Sequence, residues 1–237
     1  MQIYILFLLL GFAWGGRRRN LLQNPDLFQG DIAGIEDIND RNAVILKSRL
    51  WRGGVVTYKI DPSLDNIKGE ILRAMRHISD QTCLTFRERS FEKDYIRIFS
   101  GEGCYSYWGR FGGVQPLSLE AGCEPFGTII HELCHAIGFA HEQSRSDRDD
   151  YLIIYWENIM KGAEDQFRKL MPHRERKING FDYNSIMIYG EEAFSYDDIQ
   201  KTMVAKKKGV RLTDPFEKKG LNPSDVYRIN TLYDCNK

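Results

Sequence analysis

His131-Glu132-Leu133-Cys134-His135 sets two imidazoles four residues apart, and no other stretch of the chain restricts its fold as much. On an α-helix, positions i and i+4 lie only about 40° apart around the axis, so both rings reach the same point. Gly138 and His141 follow, which extends the pattern to H-E-x-x-H-x-x-G-x-x-H. Glycine lets the backbone reverse sharply, so a third imidazole approaches from another direction. Three histidine nitrogens with one open position make a catalytic zinc site. His131, His135 and His141 are therefore the expected ligands of one zinc ion per chain. Glu132, beside the ligand face, is the expected general base toward an attacking water. Cys134, between two ligands, reads as a small buried apolar residue; the alternative is a thiol that competes for zinc or bridges to another molecule. His77 and His173 have no partner motif and read as ordinary helix or loop residues.

This extended pattern is the metzincin signature, which also calls for a methionine-containing turn beneath the metal. Ser185-Ile186-Met187-Ile188-Tyr189 supplies it, with Met187 46 residues after His141. The rest of the chain suits a globular enzyme. It has 237 residues, 42% of them hydrophobic, which excludes a disordered or fibrous protein. With 33 basic and 33 acidic residues there is no net charge, so nucleic acid is not an expected partner.

Residues 55–60 predict a strand, followed by a helix opening at Asp61-Pro62-Ser63 with Leu64, Ile67, Ile71, Leu72, Met75 and Ile78 on its buried face. Further strands are expected over 83–87, 95–100 and 104–108, then a glycine turn at Gly109, Gly112 and Gly113. Helices are expected from about 126–128 to 137, ended by a left-handed Gly138, and over 156–170 and 223–232. Residues 1–16 carry a short apolar core and then small residues, the pattern of a secretory signal peptide, although no Lys or Arg precedes the core. A membrane anchor is the rival reading, and the run is short for a span. Five cysteines in a secreted chain suggest two disulfides and one thiol, with 15 possible pairings.

Together, His131 through Arg145 (HELCHAIGFAHEQSR), the Met-turn with its tyrosine, the ending from Leu221 to Cys235 and the Trp51–Tyr58 stretch resemble the astacin family of zinc endopeptidases. The resemblance spans about residue 42 to residue 235 and implies an α+β, two-lobed metzincin domain. Its N-terminal lobe would hold a twisted mixed sheet and two long helices. Its C-terminal lobe, beginning just past His141, would be irregular. The implied chemistry is zinc-assisted hydrolysis of protein or peptide substrates. Glu132 takes a proton from the attacking water and returns it to the leaving amine. Tyr189 ligates zinc at rest and swings away to hydrogen-bond the oxyanion. The implied disulfides are Cys83–Cys235 and Cys104–Cys123, and strand 104–108 is the implied edge that pairs with substrate backbone. The family usually has histidine where Ile188 stands, which alters hydrogen bonding below the site without removing a ligand. A secreted binding protein on the same scaffold is the alternative function, and the intact catalytic positions argue against it.

The resemblance also implies a zymogen: signal peptide 1–16, pro-segment 17–41 and catalytic domain 42–237. Phe28-Gln29-Gly30-Asp31 resembles the family's F-x-G-D motif, in which Asp31 would hold the zinc and exclude water. Arg41 offers a trypsin-like protease its cleavage point, and the freed Asn42 would meet Glu142 inside the protein. The expected protein is extracellular, with no membrane partner. Lys206, Lys207, Lys208, Arg211, Lys218 and Lys219 suggest a basic wall favouring an acidic residue after the scissile bond.

Overall fold

The computed structural model describes residues 20–35 and 47–235. The signal-like stretch 1–16, Arg41 and Asn42 lie outside the described residues. Among the described residues, eight strands and three α-helices follow in chain order: β1 (Ile32–Ala33), β2 (Val55–Ile60), α1 (Lys68–Ser79), β3 (Thr85–Glu88), β4 (Tyr95–Phe99), β5 (Cys104–Tyr107), β6 (Val114–Leu119), α2 (Phe126–Ala136), β7 (Leu152–Ile154), β8 (Met203–Ala205) and α3 (Pro223–Leu232). Six strands form one mixed sheet in the order β1-β5-β6-β4-β2-β3. Strands β6, β4, β2 and β3 run parallel, and β5 lies antiparallel to β6. Strands β7 and β8 pair as a separate antiparallel ribbon.

The β-branched run Val55-Val56-Thr57 favours the half-buried pleat of β2. Asp61 accepts from Ser63 N and opens a short 3-10 turn, Pro62–Leu64, and α1 begins only at Lys68. Ile71, Ala74, Met75 and Ile78 of α1 bury one face, while Val56, Ile96, Ile98, Leu117 and Leu119 line the sheet. Helix α2, which contacts α1, β5 and β6, is buried along almost its whole length. Two disulfides, Cys83–Cys235 and Cys104–Cys123, staple the molecule and leave Cys134 as a buried thiol.

Three sequence expectations need correction. Residues 156–170 are not a helix: they form two 3-10 turns, Trp156–Asn158 and Glu164–Phe167. Between them Ile159 bridges to Ser195, Met160 N donates to Phe194 O, and Gly162 takes a φ of 90°, so tertiary pairing and a left-handed turn break the helical repeat. Strand β6 is absent from the expected strands; it carries Pro116, a residue type that weighs against a central strand. Its β5 partners span only Leu117 to Leu119, so the proline lies just outside that ladder. Finally, the expected polar pro-segment contributes Leu22 and Ile32 to the interior and adds β1 to the sheet.

Candidate metal centre

Helix α2 carries His131, Glu132 and His135, all fully buried. Its end explains how His141 joins them. Gly138, at φ 112°, donates to His135 O, and Phe139 N donates to Cys134 O at 3.0 Å, the bond pair of a Schellman turn. The turn sends Phe139 O back over the helix, where it accepts from His135 Nδ1 at 2.7 Å. His131 Nδ1 donates to Ile186 O at 2.8 Å. His141 Nδ1 faces Gln29 Oε1 at 3.0 Å.

A carbonyl oxygen only accepts, so these Nδ1 atoms carry the protons and each neutral ring aims an Nε2 lone pair inward. The three Nε2 atoms lie 3.1, 3.2 and 3.2 Å from one another. Asp31 brings a carboxylate to the same point, 2.9 Å from His131 Nε2, 3.2 Å from His135 Nε2 and 3.2 Å from His141 Nε2. Burial holds His131 below its ordinary value and takes His141 down to about 4, although the Asp31 charge opposes both shifts. Three lone pairs and a carboxylate thus converge on one point, a donor set that suits a cation. A tetrahedral zinc with nitrogens at about 2.0–2.1 Å would space them about 3.3 Å apart, so the donor set fits this metal. Among the described residues, Asp31, His131, His135 and His141 are the group placed to hold a metal ion.

Both Glu132 oxygens are buried and have no hydrogen-bond partner among the described residues. Burial, with the Asp31 charge beside it, pushes this carboxyl well above its usual range. Tyr189 is also buried, and its hydroxyl donates to Asp31 Oδ2 at 2.6 Å, within 3.0 Å of Leu22 O and 3.1 Å of Gln29 O. In this arrangement the fourth donor beside the histidines is Asp31, and Tyr189 bonds to that donor.

The Met-turn is held by residues that sequence reasoning missed. Asp225 accepts from Ser185 Oγ at 2.6 Å and from Ile186 N at 3.0 Å. Lys218 Nζ donates to Ser185 O and Ile188 O, both at 2.7 Å. The backbone at Ile188 is therefore anchored without a histidine side chain. Lys218, half-buried and down at about 8 because desolvation disfavours its charge, belongs to this anchor. Lys206 donates to Asp149 O, while Arg211 faces Glu217 at 3.8 Å. Three of the six basic residues, Lys206, Arg211 and Lys218, are thus engaged by other parts of the chain.

Glu142 is held within the described residues: Arg228 grips both its oxygens at 2.6 and 2.8 Å. Asp182 N donates to it at 2.7 Å and Arg145 lies 3.3 Å away. No local motif announces Arg228, which reaches Glu142 from α3.

The segment carrying Asp31 lies across the site. Strand β1 pairs parallel to β5, with Ile32 opposite Ser106 and Ala33 opposite Tyr107, so it occupies the edge expected to receive substrate. Cys104 N donates to Leu21 O, Phe194 N to Gln23 Oε1 and Gln166 Nε2 to Pro25 O.

Comparison with known proteins follows the same lines. The family described as Astacin, a peptidase family, matches residues 43–234. Astacin-like metalloprotease toxin 1 of Loxosceles intermedia is 46% identical over 199 residues, covering 83% of this chain and 75% of that protein. Zinc metalloproteinase nas-4 of Caenorhabditis elegans is 40% identical over 224 residues, covering 91% of this chain and 67% of that protein. The solved structure of high choriolytic enzyme 1, a hatching enzyme zinc-protease of the medaka fish Oryzias latipes, superposes with a TM-score of 0.74 at 38% identity, covering 80% of this chain and 96% of that one.

Proposed function

The chain belongs to the astacin family of zinc metalloendopeptidases, and from that premise we propose that it is a secreted enzyme made in a latent form. Its substrates are proteins or peptides. The observation that carries the latency is the Asp31 carboxylate among the three histidine nitrogens, where the open position of a catalytic site belongs. Zinc held by His131, His135 and His141 supplies Lewis-acid polarisation of the scissile carbonyl and the attacking water. Glu132 takes the proton of that water and passes it to the leaving amine. Its unpartnered oxygens are free for this task. Tyr189, released from Asp31, would turn its hydroxyl to donate to the oxyanion.

Activation follows cleavage between Arg41 and Asn42 by a trypsin-like protease. The segment 17–41 then leaves the β5 edge, which becomes free to pair with substrate backbone. The new Asn42 ammonium enters the cavity behind His141, lined by Glu142, Arg145, Met187, Asp225 and Arg228, and shares Glu142 with the guanidinium groups there. Secretion is supported by the signal-like residues 1–16 and by two disulfides, which persist in oxidising compartments. Among the described residues no helix is long and apolar enough to cross a membrane.

The test uses the full chain loaded with zinc. Trypsin should release casein cleavage that a chelator blocks. Glu132→Gln should bind zinc at one per chain and lose about 1,000-fold or more in turnover, a share typical of one well-placed general base. Asp31→Ala should show activity before cleavage, and Arg41→Ala should stay latent under trypsin. Near-normal turnover in Glu132→Gln would refute the assigned chemistry. A silent Asp31→Ala chain, or an Arg41→Ala chain that matures normally, would refute the assigned latency.

A further inference from the structure

A histidine that holds a metal through Nε2 needs an acceptor for its Nδ1 proton, which fixes the tautomer and aims the ring. Two of the three acceptors here belong to the catalytic domain, Ile186 O for His131 and Phe139 O for His135. The third does not. His141 Nδ1 finds Gln29 Oε1, from the segment that activation would remove. Gln29 is built for this contact. It is 1% exposed, it adopts a left-handed φ of 53° unusual for a residue with a side chain, and its carbonyl faces the Tyr189 hydroxyl. Its Nε2 has no hydrogen-bond partner among the described residues, so the side chain is placed for its oxygen.

Resting on the pro-segment reading above, we propose that Gln29 is a positioning residue for His141, and that the segment retains the metal as well as silencing the enzyme. The latent chain has four protein donors and three oriented imidazoles. The matured chain loses Asp31 and, separately, the acceptor that orients His141. His141 becomes the weakest-held ligand, and zinc affinity falls on activation.

Chelator competition followed with a colorimetric zinc indicator tests this on the uncleaved full chain, with no reading of proteolysis. Gln29→Ala should weaken zinc binding about 10- to 100-fold, the usual effect of losing an outer partner. Gln29→Glu, which keeps an acceptor and removes the unpaired amide donor, should bind at least as tightly as the natural chain. After trypsin removes the segment, Gln29→Ala, Gln29→Glu and natural chains should share one affinity, weaker than that of the latent natural chain. The cobalt-substituted Gln29→Ala chain should show an altered visible spectrum. Natural affinity in Gln29→Ala, or binding tenfold weaker in Gln29→Glu, overturns the proposal while Asp31→Ala still weakens binding. If Asp31→Ala also leaves the affinity unchanged, the pro-segment reading falls with it.

Discussion

Cys134 sits between two ligand positions in the sequence, yet its sulfur lies outside the cluster of metal donors. It lines the cavity behind His141 with Ile186, Asp225 and Leu232, and it is 1% exposed. Burial, helped by the Asp225 charge, pushes the thiol well above its ordinary range, which disfavours the nucleophilic thiolate. In the folded protein a thiol reagent should label Cys134 only as fast as the chain unfolds. Cys134→Ala should keep one zinc per chain and lose about 1 kcal/mol of stability, as small core truncations do. Loss of zinc in that variant would show instead that the thiol bears on the metal. The same helix geometry explains what the sequence revealed at this scale. Spacing along one helix fixes direction, so His131, Glu132 and His135 were legible together, and Gly138 made His141 legible as well. Gln29, Lys218 and Asp225 were not legible, because they reach the site through contacts across 112, 30 and 39 residues, and no local pattern records such contacts.

Helix α3 is tied to the centre by two side chains, Arg228 on Glu142 and Asp225 on the Met-turn. Asp225 stands in its first turn, bonds Asn222 N within a capping box, and holds Ser185 and Ile186 of the Met-turn. Asp225→Ala should therefore cost about 3 kcal/mol, measured by denaturant unfolding, because buried donors to a charged group are left bare. A loss below about 1 kcal/mol would mean that Lys218 alone holds the turn. Helix α1 has a comparable link. His77 Nε2 accepts from Leu221 N at 3.0 Å, and its ring meets Phe126 edge-on at 5.3 Å. Burial lowers its pKa, and the Arg73 charge adds to this against Asp80. The folded state thus favours neutral His77, and its stabilising effect is present above the ordinary value of 6.5 and lost as the pH falls below it. The thermal midpoint of the zinc-loaded chain should fall between pH 7 and pH 5, and less steeply in His77→Gln, whose amide oxygen can accept the same bond. Equal slopes would remove His77 from the acid response. Strand β2 was legible from its β-branched run, α1 from its apolar periodicity and the end of α2 from Gly138, although neither helix has a side-chain N-cap. Where a partner elsewhere decides the conformation, as at Ile159 with Ser195 or at Pro116, which pairs with Arg97 of β4, local signals misled.

Across the whole molecule, the segment 20–35 belongs to both lobes, with β1 on the sheet and Gln23 and Pro25 bonded to the C-terminal half. Its burial of Leu22 and Ile32 shows why composition misrepresented it: a few apolar residues suffice when a cleft already supplies the opposite wall. The Cys83–Cys235 bridge closes a loop of 152 residues, worth about 5 kcal/mol on the chain-entropy account. That loop contains every histidine of the metal centre, the Met-turn and α3. A protease shares its compartment with copies of itself, so accidental nicks fall on its own chain. A cut at exposed Arg176 or Lys177 falls inside the loop, and the two pieces stay joined by sulfur. Such a molecule should migrate as one band without reductant and as two with it, and should keep its zinc until the bridge is reduced. Fragments that part on a non-reducing gel would show the bridge to be open. For this fold, an unbroken backbone and an intact molecule are different things.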